Sequence, residues 1–411
     1  MTVTPSETLP AGLRAPPVFA DIAEAPRARH RLFTALDTVA YIAIGTALCG
    51  ELLAVLANVT GRAFFHYSLL WTDEIGQIVL SILAFVGGAI AYRHDQQSAV
   101  HTVVDAMPPR WSAACRAGAD WLVMLIAAVT GYLSIRLLTG QIGETTPILD
   151  LPAWVLVAPM SAGMALLIVY AAERLYRQQR AATLWTGLVL VAVVALIVAT
   201  RGAWVGVFTG AIPIVVALLA FLAAVILGLP VGFALLLATL IDLYPSPSIP
   251  LIAIPQTLND GMGFVLLALP FFIFAGAIME NGGISVRLVE FARTLVGHLK
   301  GGLLQVTIVS IYLVSGLSGS KAADVAAVGP IMRTMLQREK IPLEEGAAVL
   351  AASAAMGETI PPSLGLLVLG SITTLSMGKL FTAGIIPAAV IAACLMLLVF
   401  FRAGRTNMPR S

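Results

Sequence analysis

The sequence predicts an all-α, polytopic integral membrane protein, and three observations predict it. Of its 411 residues, 59% are hydrophobic and only 11% are charged, against about 25% charged in water-soluble domains. Apolar runs of about 20 residues recur along the chain, the length at which a helix matches the roughly 30 Å hydrocarbon core of a bilayer. Those runs are continuous and do not alternate, which excludes a β-barrel and leaves helices to satisfy the backbone internally.

Each element follows from the same pattern. Residues 1–32 are rich in Pro, Ala and Arg and read as a flexible cytoplasmic tail. A first span over 33–57 is too long for a signal-peptide core. Further spans are expected near 75–92, 118–138, 153–172, 183–200, 203–228, 230–243 and 262–280. Two segments broken by Gly, Ser or Pro follow at 302–336 and 345–374, and a last continuous span covers 379–401. Cys49, Cys115 and Cys394 lie far apart, without metal-ligand spacing, and are expected to be buried as small hydrophobes.

Orientation follows from the basic residues. With the N-terminus in the cytoplasm, 19 of the 24 Lys and Arg fall on the inner side, as the positive-inside rule requires. Arg62, Arg136, Arg201 and Lys379 fall outside and Lys321 lies within a broken segment. Basic clusters flank 302–336 on both sides, so that segment enters and leaves by the inner face as a re-entrant hairpin. The stretch 287–300, with Arg287, Arg293 and Lys300, reads as an amphipathic arm along the inner interface. No basic patch of nucleic-acid-binding type, phosphate loop or metal-ligand cluster is visible. Nor does any Ser–His pair or paired acid mark an intramembrane enzyme.

The hairpin tip reads Ser315-Gly316-Leu317-Ser318-Gly319-Ser320, small residues that break a helix and supply hydroxyl oxygens. Either it is a tight turn between packed helices or it is an ion or substrate site, since irregular backbone at membrane depth survives only where protein or water covers it. The second break is Gly357-Glu358-Thr359-Ile360-Pro361-Pro362-Ser363. Pro361 and Pro362 have no N–H to offer the carbonyls of Gly357 and Glu358, so two oxygens are freed for a cation. A half-helix starting near Ser363 then points its positive N-terminus at the same place, which suits a carboxylate. The alternative is a proline kink that only shapes the helix. Two facing broken segments are the pattern of a secondary transporter coupling an anion to a cation.

The charged neighbours have two readings each. Lys321 either pairs with Asp324, one turn on, or stands as a fixed charge in place of a coupling ion. Glu358 either tunes the ion site or faces Lys321 or water as structure. At the outer edge, Trp71 anchors at the interface and Asp73 and Glu74 cap the next helix. In the other reading Arg62, Trp71, Asp73 and Glu74 form a docking surface at that edge. Asp37 and Glu51, in the first span, are expected to make helix contacts or to lie near its ends.

From about residue 200 onward the chain resembles the large membrane subunit of the tripartite ATP-independent periplasmic (TRAP) transporters. The likeness rests on Leu269-Pro270-Phe271-Phe272 with Ala275-Gly276, Gly282-Gly283-Ile284, Ser318-Gly319-Ser320 with Ala323-Asp324, and Ile360-Pro361-Pro362-Ser363. Residues 33–180 resemble the four-helix small subunit, through Asn58, Arg62, Trp71-Thr72-Asp73-Glu74, Gly87-Gly88, Arg93 and the His101, Val104, Asp105 stretch. A connecting helix over 181–201 would join this region to a large-subunit repeat over 202–411.

The resemblance implies sodium-coupled uptake of a small organic acid, such as a C4-dicarboxylate-like acid, across the bacterial inner membrane. A periplasmic binding protein would deliver the acid, and the motion would be elevator-like. It implies sodium on Ser315, Ser318, Ser320, Gly357 and Thr359 and substrate beside Ser320, Thr359, Pro362 and Ser363, with no cofactor besides the ion. Proton coupling is the alternative to sodium. The large subunit of this family carries two inverted repeats, whereas one hairpin and one broken helix are found here. The chain is therefore expected to be truncated, or completed by a second membrane chain. A carrier working without a binding protein, and a scaffold fragment with no transport of its own, are the competing expectations.

Overall fold

The computed structural model describes residues 31–178, 180–200, 212–246, 249–319, 321–373 and 375–406. Ser320 and the side chain of Ser318 lie outside the described residues. Among the described residues the elements are helices, with one isolated bridge between Thr145 and Pro152. Among the described residues six helices are long and apolar enough to cross a membrane, or up to seven if a bent pair counts as one. The expected all-α polytopic class holds. The chain divides into two compact units, residues 31–264 and 265–411.

In the first unit, α1 (Arg31–Phe65) is followed by α2 (Trp71–Ser81), which runs through a π turn at Ile82–Val86 into α3 (Gly87–Arg93). A short α4 (Thr102–Asp105) leads to α5 (Pro109–Gly140), α6 (Trp154–Arg177) and α7 (Arg180–Ala199). Helices α8 (Ile212–Ile226), α9 (Val231–Leu243) and α10 (Ala253–Asp260) complete the unit. Its core joins Phe85, Tyr92, Ile126, Met160, Tyr170 and, from the α8–α9 region, Leu229 and Phe233. Helix α6 reaches the π turn because residue 163 is Gly: a Cβ there would stand 2.6 Å from the Phe85 backbone, and small residues are what let membrane helices approach this closely.

Buried charge ties these helices together. Arg93 Nη1 lies 2.9 Å from Asp37 Oδ1, which also accepts from the Tyr170 hydroxyl at 3.0 Å. Asp120 accepts from Tyr92 (2.5 Å) and Gln178 (2.6 Å) and faces Arg174 at 3.4 Å. Asp37 thus makes the helix contacts expected of it, whereas Glu51 is buried with no hydrogen-bond partner among the described residues.

In the second unit, a 3-10 turn at Phe264–Leu267 opens α11 (Ala268–Asn281), and Gly282-Gly283 turns the chain by 72° into α12 (Ile284–Val296). Then come α13 (Gly302–Ser318), α14 (Lys321–Arg338), α15 (Leu343–Ala354), a 3-10 turn at Ala355–Glu358, α16 (Leu364–Ile372) and α17 (Met377–Thr406). Helix α13 is central: Leu303, Val306, Ile308, Ile311 and Val314 pack with residues of α12, α14 and α17. A helix apolar all round is a buried one. Helix α12 buries Ser285, Val289, Ala292 and Val296 on one face and leaves Arg287 and Arg293 exposed, the amphipathic pattern expected of an arm.

One expectation is corrected here. Cys49 and Cys394 are exposed and only Cys115 is half-buried. On a helix whose outward face is apolar, a small hydrophobe sits as well facing lipid as facing protein.

Candidate functional site

The first break is tighter than its six small residues suggest. Helix α13 continues through Ser315, Gly316, Leu317 and Ser318, and stops where Gly319 takes the left-handed conformation with φ 61°. Its N–H donates to the Ser315 carbonyl at 3.1 Å, the usual glycine termination of a helix. Helix α14 restarts at Lys321 and packs along α13, forming the expected hairpin.

The second break is a 3-10 turn ending at Glu358, followed by the non-helical stretch Thr359–Ser363. Ser363 is the N-cap of α16, its hydroxyl accepting from Leu366 N at 3.2 Å and donating to the Glu358 carbonyl at 2.5 Å. The Glu358 oxygen freed by Pro362 is therefore not left open, as expected from the prolines, because a serine two residues beyond the first proline folds back onto it. Among the described residues, no donor reaches the Gly357 carbonyl.

The two breaks interlock. A Cβ on Gly319 would stand 2.0 Å from the Pro362 carbonyl oxygen, so the tip lies directly on the Pro-Pro backbone. A Cβ on Gly357 would meet Asp324 Oδ2 at 2.6 Å and Ser315 Oγ at 3.1 Å. Ser315 donates to Asp324 Oδ2, and both residues are fully buried. Ser315 and Asp324 thus bring buried oxygens, the donor type a hard cation takes, against the Gly357 backbone. Thr359 donates its hydroxyl to the Met356 carbonyl at 2.8 Å, and Pro362 and Ser363 are buried beside the tip.

Of the two partners expected for Lys321, Asp324 and Glu358, the structure pairs it with Glu358. Lys321 Nζ lies 2.8 Å from Glu358 Oε1, with the two side chains 46% and 59% exposed. Asp324 faces inward toward α13 while Lys321, in the first turn of α14, reaches across to the second break. An exposed pair of this kind stabilises by about 0–1 kcal/mol. The Ser315–Asp324 contact was not foreseen, yet the sequence signals it: the two residues stand equally far from the Gly319–Ser320 tip, which is how partners face each other across a hairpin.

The α1–α2 connection of the first unit also differs from expectation. Glu74 is buried and caps nothing in its own helix. It accepts from Ile148 N (2.8 Å) and Leu149 N (3.0 Å), fastening the α5–α6 loop to α2. Asn58 takes the α2 entrance instead, through Thr72 (2.9 Å) and Leu69 N (2.9 Å). Arg62 and Asp73 are exposed and Trp71 is half-buried. Among the described residues no group of His, Cys, Asp and Glu is arranged to hold a metal ion.

A hairpin locked onto a broken helix, in a chain with this many apolar helices, is the architecture of a membrane permease. Sequence comparison says of which kind. Residues 218–411 match the DctM component of the tripartite ATP-independent periplasmic transporters, and residues 51–181 match the DctQ component. The large permease protein of the 2,3-diketo-L-gulonate TRAP transporter of Escherichia coli is 38% identical over 190 residues, 46% of this chain and 45% of that protein. The sialic acid TRAP transporter permease of Haemophilus influenzae is 26% identical over 383 residues, 89% of this chain and 62% of the relative. The isethionate TRAP transporter permease of Oleidesulfovibrio alaskensis is 28% identical over 367 residues, covering 85% and 56%. The chain belongs to the TRAP transporter permeases, with DctQ-like and DctM-like regions on one polypeptide, and is a multi-pass membrane protein of a transporter family. It spans about half of the length of the relatives it matches.

Proposed function

We propose that this chain is the permease part of a sodium-coupled TRAP transporter taking up a small organic acid, of C4-dicarboxylate-like character, delivered by a periplasmic binding protein. The observation that carries this reading is the interlock of the two breaks around the buried Ser315–Asp324–Gly357 cluster. Sodium would use the Ser315 and Thr359 hydroxyls, the Gly357 carbonyl and the hydroxyls of Ser318 and Ser320. Substrate would lie against Ser320, Thr359, Pro362 and Ser363. Residues 33–180 act as the small-subunit region, 181–201 as its connecting helix and 202–411 as the large-subunit repeat. The N-terminus faces the cytoplasm. The hairpin and broken helix move as one body in an elevator-type cycle, since glycine-mediated contact leaves no room for them to slide past one another. Docking of the binding protein falls to the outer edge, at exposed Arg62 and Asp73 and at Trp71, with Glu74 holding that edge in shape.

The test is uptake into proteoliposomes under a sodium gradient. This chain is tested alone, with the binding protein, and with a candidate second membrane chain, and Gly319→Val serves as control. That variant puts a branched side chain where 2.0 Å is available, so it should abolish uptake while leaving membrane insertion intact. Uptake that persists without a sodium gradient, or in Gly319→Val, refutes the reading.

A further inference from the structure

The hairpin tip and the second break, residues 315–325 and 355–363, carry three ionisable side chains. Asp324 is buried against Ser315. The other two, Lys321 and Glu358, come from different breaks and meet on the exposed side of the interlock. Their pair is not needed to join the segments. The Gly319 tip already rests on the Pro362 carbonyl, and Gly357 on Asp324 and Ser315. Nor does the pair occupy the cation cluster, because those oxygens are buried while the ammonium is about half exposed. What remains is an exposed carboxylate holding an exposed ammonium beside the surface assigned to substrate. Such a pair exchanges partners readily, because water competes for both ends.

Resting on the substrate-site reading above, we propose that Lys321 receives the second carboxylate of a dianionic substrate, and that Glu358 is a built-in competitor for it. The rest of the tip and break is built of hydroxyls, carbonyls, prolines and apolar side chains, with Asp324 turned toward Ser315. Lys321 is therefore the group there that distinguishes a dianion from a monoanion of equal length. Glu358 sets the threshold: a single carboxylate gains little by displacing it, whereas a dianion anchored at its first carboxylate brings the second to Lys321 at high local concentration.

The experiment compares succinate with butyrate, a four-carbon dianion and monoanion, binding to the full chain in lipid nanodiscs with sodium present. The readout is the ratio of the two affinities. Glu358→Gln removes the competitor and should raise the succinate-to-butyrate ratio about five- to tenfold. Lys321→Met should bring the ratio close to one, Lys321→Arg should keep it, and Lys321→Met/Glu358→Gln should behave as Lys321→Met. A pair that is only structural predicts a different pattern. Glu358→Gln and Lys321→Met would then weaken both acids alike, the ratio would not move, and the inference would be overturned with the site reading intact. Absence of sodium-dependent binding of either acid to the unaltered chain would overturn the site reading and this inference with it.

Discussion

Ser315 and Asp324 face each other across the hairpin with no exposed surface, and Gly357 closes the cluster from the second break. A carboxylate at this depth is costly unless hydrogen bonds and a counter-charge compensate it. The Ser315 hydroxyl supplies one bond, and in the proposed sodium site a bound cation would add its charge. Asp324→Asn keeps the volume and an acceptor while removing the charge, so the fold should survive. The stabilisation produced by added sodium should shift to at least tenfold higher concentration, about 1.4 kcal/mol of lost ion binding. A sodium titration of the melting temperature measures this, and an unshifted curve would make Asp324 purely structural. Lys321 teaches a related lesson. Spacing along the chain offered Asp324 as its partner, but the partner came from a segment 37 residues away, because the hairpin turned the aspartate inward.

Among the elements, buried ion pairs hold the first unit together where apolar helices have little reason to prefer one another over lipid. Arg93 of α3 reaches Asp37 of α1 and lies 3.7 Å from Glu173 of α6. Its guanidinium also stacks on Phe33 and Tyr170, at 5.2 and 4.9 Å from the ring centres. Removing one partner strands the other's charge, so Asp37→Ala should destabilise the unit by about 3–5 kcal/mol. Asp37→Leu/Arg93→Met, which strands no charge on that pair, should cost clearly less. Unfolding in mild detergent, followed by circular dichroism, compares the two. Equal losses would show that packing around α1 matters more than the pair.

For the whole molecule, the proposed orientation, argued from the preference of basic residues for the cytoplasmic side, puts the N-terminus and the hairpin flanks in the cytoplasm. Single cysteines placed at Arg62 and Lys379 in a background lacking Cys49, Cys115 and Cys394 should react with an impermeant thiol reagent added outside intact cells. Cysteines at Arg116 and Arg338 should react only after the membrane is opened. Labelling of Arg338→Cys from outside would refute the re-entrant hairpin, since α14 would then have crossed.

The sequence by itself determined the class of protein, the course of the apolar helices, the two breaks and the family motifs. Hydrophobic length and small or proline residues act locally, and their signals are written in consecutive positions. The amphipathic α12 was legible in this way, whereas the 72° turn at Gly282-Gly283 ahead of it was not foreseen. Tertiary structure decided which polar group meets which. Ser363 took the carbonyl that Pro362 had released, Glu74 left its helix end for the α5–α6 loop, and Glu358 captured Lys321. It also grouped residues 212–264 with the first unit, through Leu229 and Phe233 in its core. These outcomes depend on the few ångströms between segments far apart in the chain. A hydrogen bond or ion pair is strong only at short range, so the groups that form it are settled by packing after the helices are in place.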